Sequence, residues 1–182
     1  FFTSPSMDKT ADQQIEEAIS FLVFAIKKSG NNPKPVILHS IKIGFHLYNL
    51  WYNKDIVIAA ILHDVIEDSE TTPQEIETIF GIKIVELVIA NSFDSSIKDK
   101  TTRYQECFSR CAELGIDALI IKAADILDNA DYYFNAENDI LINWLLEKMK
   151  YFIDYSRDYL QDEYLYVQLV EKYQELITTQ KN

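Results

Sequence analysis

The stretch Ile61-Leu62-His63-Asp64-Val65-Ile66-Glu67-Asp68 sets one imidazole and three carboxylates at the end of an apolar run, Ile56-Val57-Ile58-Ala59-Ala60. On a helix, residues four apart share a face, so Glu67 stacks with His63 and Asp68 with Asp64. Two adjacent stripes then each offer a metal ligand, with a carboxylate one turn further along. Imidazole and carboxylate together suit a divalent manganese, iron or zinc ion. A carboxylate one turn away is placed to move a proton. The plainer alternative is a solvated helix end. Two neighbouring residues seldom complete a coordination shell, so a metal site needs ligands from elsewhere in the chain.

The chain has three histidines, His39, His46 and His63. His39 opens a segment after the loop "NNPKP", where solvent and substrate have access, whereas His46 reads as a core histidine. The stretch "IIKAADILDN" places Lys122, Asp125 and Asn129 at i, i+3 and i+7, one face of a helix otherwise rich in core residues. Read alone, Lys122 and Asp125 make either a simple ion pair or part of a site. Lys122, and Lys34 five residues before His39, are candidate contacts for an anionic ligand.

Helices must position these groups. Apolar residues recur at helical spacing and only four glycines and four prolines interrupt them. The pattern predicts helices over Asp12 to Lys28, Val36 to about Tyr52, and a third from a cap at Asp55 through Asp68. A short helix follows, capped by Thr72 with Pro73 and Glu75 behind it and closed by Gly81. Another runs through "IKIVELVIAN", then a polar loop "SFDSSIKDK". Four more helices are expected over Thr101 to Glu113, Asp117 to Phe134, Asp139 to about Leu160, and Asp162 to Ile177. At 182 residues the chain suits one all-α domain over residues 7–182. Residues 1–6 precede Met7 and read as an extraneous or disordered leader.

The formal charge of −12 excludes a broad basic platform for nucleic acid. A phosphorylated small molecule would then need an ion and a few local cations. No apolar run is long enough to span a bilayer and nothing resembles a secretory signal. Cys107 and Cys111, four apart on an expected helix, read as reduced thiols, with half a metal site as the alternative. The expected setting is cytoplasmic. The tyrosines of "YFIDYSRDYLQDEYLYVQL" read as core, or as cover for a self-association face.

In order along the chain, His39, His63-Asp64, Glu67-Asp68 and Lys122-x-x-Asp125-x-x-x-Asn129 resemble the HD-domain phosphohydrolases. The likeness is greatest to the hydrolase domain of the RelA/SpoT group and its small stand-alone metazoan relatives. "AAILHDVIEDSETTPQEIETIFG" is similar to that group's wording, and the resemblance runs from about Ala18 to Phe134. It implies an HD-type helical bundle in which His39, His63, Asp64 and Asp125 hold one divalent ion, manganese first, iron or zinc next. It also implies that Glu67 and Asp68 orient and deprotonate the attacking water, and that Asn129 contacts a nucleotide near the ribose.

The implied function is hydrolysis of a nucleotide or related phosphorylated metabolite, with (p)ppGpp 3′-pyrophosphohydrolysis the leading case. A non-catalytic module binding a nucleotide or a partner protein is the alternative. Counted back from His39 without gaps, the family's basic pair before the first histidine falls on Gly30 and Asn31. With a short insertion, the family's Arg-Lys-Ser-Gly matches Lys27-Lys28-Ser29-Gly30, the preferred alignment, which makes Lys28 a candidate phosphate contact. Its "DRLHN" reads Asp125-Ile126-Leu127-Asp128-Asn129 here. The arginine and threonine that commonly follow are replaced by Asp131 and Tyr132.

Overall fold

Thr10 opens the first helix by accepting from the Gln13 N–H, while the Gln13 side chain accepts from the Thr10 N–H in return. In the computed structural model, which describes residues 9–30, 35–136 and 138–180, this helix is α1 (Ala11–Ser29). Gly30, at φ 70°, ends it in the left-handed conformation that glycine adopts without penalty. The expectations for residues 1–6 and for Lys34 lie outside the described residues. Among the described residues there follow α2 (Val36–Asn49), α3 (Lys54–Leu62), α4 (Val65–Asp68), α5 (Pro73–Phe80) and α6 (Ile82–Asn91). Then come α7 (Lys100–Leu114), α8 (Ile116–Ala130), a 3-10 turn (Tyr133–Asn135), α9 (Asp139–Leu160) and α10 (Tyr164–Gln180).

The bundle is built around two helices. Every residue of α3 from Ile56 to Leu62 is buried, as a helix apolar on all faces must be. α8 buries its run from Ala118 to Ile126. Helices α1, α2 and α6 pack against α3, while α7, α9 and α10 pack against α8. The two central helices also touch each other and α2, so the motifs on all three face one region.

Several boundaries differ from expectation. Asn53, not Asp55, caps α3, its side chain accepting from the Asp55 and Ile56 N–H groups. The helix expected to run unbroken to Asp68 stops at Leu62 and resumes at Val65. The His63 Nδ1–H donates to the Ala60 carbonyl at 2.8 Å, the group that the Asp64 N–H would use in a continuous helix. Asp64 turns to φ −95°, ψ −4°, and its carbonyl starts the next turn by accepting from the Asp68 N–H. α8 ends at Ala130 rather than Phe134, giving way to the 3-10 turn. Trp51, after α2, sits at φ 63° and is 93% exposed.

The aromatic residues of the C-terminal third divide. Tyr151, Phe152 and Tyr155 join Tyr104, Phe108 and Trp144 in a cluster between α7 and α9, the core reading. Tyr159 and Tyr164 are exposed. No described helix is long and apolar enough to cross a membrane.

Gly44 brings α2, which carries His39, close to α3, which leads into His63. A Cβ there would lie 3.0 Å from Ile61 Cδ1 and closer still to its Cγ1, and Ile61 is fully buried. Gly44→Ala is therefore expected to destabilise the protein by about 1–3 kcal/mol through overpacking, measured by denaturant unfolding. An unchanged unfolding midpoint would mean that the two helices do not need this approach.

Candidate metal centre and its surroundings

Three parts of the fold deliver the candidate ligands. His39 comes from the first turn of α2, His63 and Asp64 from the break between α3 and α4, and Asp125 from α8. Ligand atoms of His39, His63 and Asp125 all lie within 4.8 Å of one another. Asp64 joins them, with Oδ1 3.2 Å from His63 Nε2 and Oδ2 4.0 Å from His39 Nε2.

The His63 ring is fully buried. A carbonyl oxygen can only accept, so the contact with Ala60 fixes the proton on Nδ1. In the neutral ring Nε2 is then a lone pair. It has no hydrogen-bond partner, and it faces carboxylate oxygens of Asp64 at 3.2 Å and Asp125 at 3.8 Å. Electron-rich atoms held this close call for a cation among them, and two imidazoles with two carboxylates suit a divalent transition ion. The residues fit a metal.

His39 is held from both sides. Its Nδ1 is 2.7 Å from Asp128 Oδ2, which Lys42 also pairs through Oδ1. Its Nε2 is 3.3 Å from Asp125 Oδ1. Burial disfavours the imidazolium, but the carboxylates of Asp125 and Asp128, with Asp64 beyond them, outweigh this and raise the pKa to about 10. Asp128 thus stands where an outer carboxylate would orient a histidine that binds a metal, at a position where the sequence comparison showed only a departure.

Asp125 is buried, and Lys122, Asn129 and His39 use its two oxygens. Lys122 Nζ donates to Oδ2 at 3.1 Å and Asn129 Nδ2 to Oδ1 at 2.6 Å. Desolvation opposes its negative charge, yet Lys122 and the imidazoles hold its pKa well below the usual carboxylate range. The Lys122 ammonium also donates to the Asn91 carbonyl at 2.9 Å, and its side chain is 1% exposed. The expected substrate contact at Lys122 is therefore not what the structure brings about, because a buried ammonium already spent on a carboxylate and a carbonyl has no surface left for a ligand. Asn129 keeps an exposed edge beside the cluster.

Glu67 lies on α4, beyond the break after Leu62. Its Oε1 accepts from the Phe93 N–H at 2.8 Å. The side chain keeps an exposed edge, but its carboxyl group is crowded by protein. Desolvation raises its pKa to about 7, with Asp64 adding to the shift and the Phe93 N–H opposing it. The Asp68 carbonyl accepts from Ser29 Oγ at 3.2 Å, tying α4 to the end of α1. Lys28, one residue before, instead lines a small pocket with Glu70, Thr71 and Glu75 that shares no residue with the cluster.

His46 lies apart, its Nε2 3.0 Å from Gln168 Oε1. Cys107 and Cys111 are free and buried, with their thiols against the Ala90 carbonyl. Asn91, the last residue of α6, and Ser92-Phe93, where a simple polar loop was expected, together support the whole arrangement. The Asn91 carbonyl holds Lys122, Ser92 Oγ reaches the His63 carbonyl, and Phe93 holds Glu67. An apolar residue interrupting the polar run "NSFDSS" was the available signal.

A metal ligand must be unprotonated, so an ion that took His39 as a ligand would displace its proton, which is bound below about pH 10. Close to one proton per ion should appear at pH 8, and apparent affinity should rise about tenfold per pH unit between 7 and 9. Calorimetry of manganese binding in buffers of different ionisation enthalpy measures this. Asp128→Asn should reduce the proton count, and no release from the parent protein would contradict the geometry.

Comparison with known proteins gives a consistent picture. A family model described as HD domain matches residues 18–140. A guanosine-3′,5′-bis(diphosphate) 3′-pyrophosphohydrolase of Aquifex aeolicus is 32% identical over 124 residues, 64% of this chain and 18% of that protein. A Drosophila melanogaster protein of the same name is 34% identical over 77 residues, covering 42% of each chain. The chain thus spans about a fifth of the bacterial relative and well under half of the insect one. A solved structure of a metazoan ortholog of SpoT, described as hydrolysing ppGpp, superposes with a TM-score of 0.76. It covers 96% of this chain and 98% of the other at 23% identity, which is a likeness of fold.

Proposed function

The chain belongs to the HD-domain family, and from that premise we propose that it is a metal-dependent phosphohydrolase acting on a nucleotide or related phosphorylated metabolite. The convergence of His39, His63 and Asp125 within 4.8 Å, with Asp64 alongside, carries the reading. We assign His39, His63, Asp64 and Asp125 as the ligands of one divalent ion, with manganese the first choice. When bound there, such an ion neutralises phosphate charge and lowers the pKa of water.

The remaining work falls to side chains. Glu67 and Asp68 form the acid/base pair. A carboxylate whose pKa sits near 7 is matched to taking a proton from water at neutral pH. The Phe93 N–H fixes the direction of Glu67, and Asn129 is positioned to contact a sugar or phosphate while steadying Asp125. Lys122 holds Asp125 in its charged form.

The leading substrate is (p)ppGpp, on the strength of what the relatives are named for. Water would add across the ester between the 3′ oxygen and its phosphorus. That releases pyrophosphate and restores the 3′ hydroxyl. One observation favours another nucleotide: Lys28, the counterpart of the family's basic pair, faces Glu75 rather than the cluster.

Two outcomes test these assignments. Glu67→Gln and Asp68→Asn should keep the metal and each cut turnover about a hundredfold or more. Wild-type turnover should fall as pH drops through about 7 or somewhat lower, because Glu67 acts only when deprotonated and a nearby ion favours that form. Glu67→Gln should abolish this limb of the profile, and a profile unchanged by it would remove Glu67 from the reaction.

The second test is a product screen of manganese-loaded protein. (p)ppGpp should give pyrophosphate and the guanosine 5′-phosphate, with GTP a poor competitor. Equal rates across a nucleotide panel would remove the alarmone and leave the phosphohydrolase.

A further inference from the structure

The Phe93 ring has three cations around it. Lys122 Nζ and Lys148 Nζ each lie 5.2 Å from its centroid, and the Arg103 guanidinium lies 5.9 Å away. Lys122 is committed to Asp125 and the Asn91 carbonyl. The other two are different. Among the described residues neither Lys148 nor Arg103 has a carboxylate within ion-pairing distance, in a chain whose formal charge is −12.

Lys148 is also an odd choice for its place. It lies on α9 between Trp144 and Phe152, on the side that carries the aromatic cluster against α7, and it is half-buried. Desolvation lowers its ammonium pKa, with only partial compensation from the more distant Asp125 and Glu67. A methionine or leucine would fill that position without this cost. The family model ends at residue 140, so its match reaches only the first two residues of this helix and stops short of Lys148.

The backbone of Phe93 links this group to the chemistry, because its N–H holds Glu67 Oε1 at 2.8 Å. Asp125 and Glu67 also lie near enough to act on the Lys148 charge, so the cations on the Phe93 ring border the His/Asp cluster on the Glu67 side. We propose that Lys148 and Arg103, gathered on the Phe93 ring, form an anion subsite for the outer phosphate of a diphosphate-bearing substrate whose inner phosphate faces the metal cluster. The proposal rests on the phosphohydrolase reading for the inner phosphate and adds where the second charge is met. It also supplies the local cations that a strongly acidic protein needs to attract a phosphorylated ligand, from residues other than Lys28 and Lys122.

Equilibrium binding of inorganic pyrophosphate and of orthophosphate to manganese-loaded protein, freed of excess metal, tests the subsite without requiring turnover. Metal content is checked after each titration. Wild type should bind pyrophosphate at least tenfold more tightly than orthophosphate. Lys148→Met keeps the aliphatic stem and removes the charge. It should erase most of that difference, flatten the salt dependence and leave metal content unchanged. Lys148→Arg should retain the preference, and Lys150→Met, on the exposed face of the same helix, should not affect it.

A Lys148→Met protein that prefers pyrophosphate as strongly as wild type overturns the proposal, as does a wild type with no such preference. Failure of the phosphohydrolase reading would look different. The nucleotide panel would show no hydrolysis while pyrophosphate binding still depended on Lys148.

Discussion

Asp64, Asp125 and Asp128 crowd around two imidazoles in a space largely shut from water, where like charges repel far more strongly than at a surface. Fixed cations make this arrangement tenable. Lys122, buried beneath Asp125, neutralises it from the protein side, and Lys42 does the same for Asp128. Removing one member of a buried pair leaves an uncompensated charge, so Lys122 above all holds Asp125 in place for whatever enters from the open side. The more exposed Lys42 steadies Asp128. The surrounding helices can be understood as the frame that keeps three negative side chains and their counterions in register.

That frame depends on two local departures from regular helix. At Gly44 the absence of a side chain lets α2 approach α3, which sets the separation of His39 and His63. At His63 an imidazole takes the Ala60 carbonyl and ends α3. One hydrogen bond thereby selects the tautomer of the ring and interrupts the helix at Asp64, just before the turn that carries Glu67. The geometry of the candidate centre is therefore a product of backbone hydrogen bonding as much as of side-chain placement.

Much of this was legible in the sequence. Helical periodicity predicted the all-α bundle, and the capped short helix at Thr72 formed with both expected reciprocal bonds. Periodicity singled out the His63-Asp64 stretch, and the resemblance to the HD-domain phosphohydrolases implied that His39 and Asp125 join it, as their ligand atoms do in the structure. What periodicity cannot express is a side chain competing with the backbone, so the break at His63 and the hold of the Phe93 N–H on Glu67 were missed. Nor does it reveal contacts between distant helices. Lys122 was read by its face as a ligand for substrate, whereas the carbonyl that captures it comes from Asn91, 31 residues earlier. Asp128 looked like a lost family residue until its distance to His39 gave it a purpose.

The two tryptophans occupy opposite settings. Trp51 is nearly bare on the rim. Trp144 sits in the aromatic cluster, its Nε1–H donating to Thr101 Oγ1 at 3.3 Å, with the Lys100 ammonium 6.0 Å from its ring. An exposed indole emits at longer wavelength and is quenched readily by a soluble collider, and a sheltered one is not. The protein thus carries two separable optical reporters. The sheltered one lies one helical turn before Lys148, so its emission follows the fit of α9 against α7.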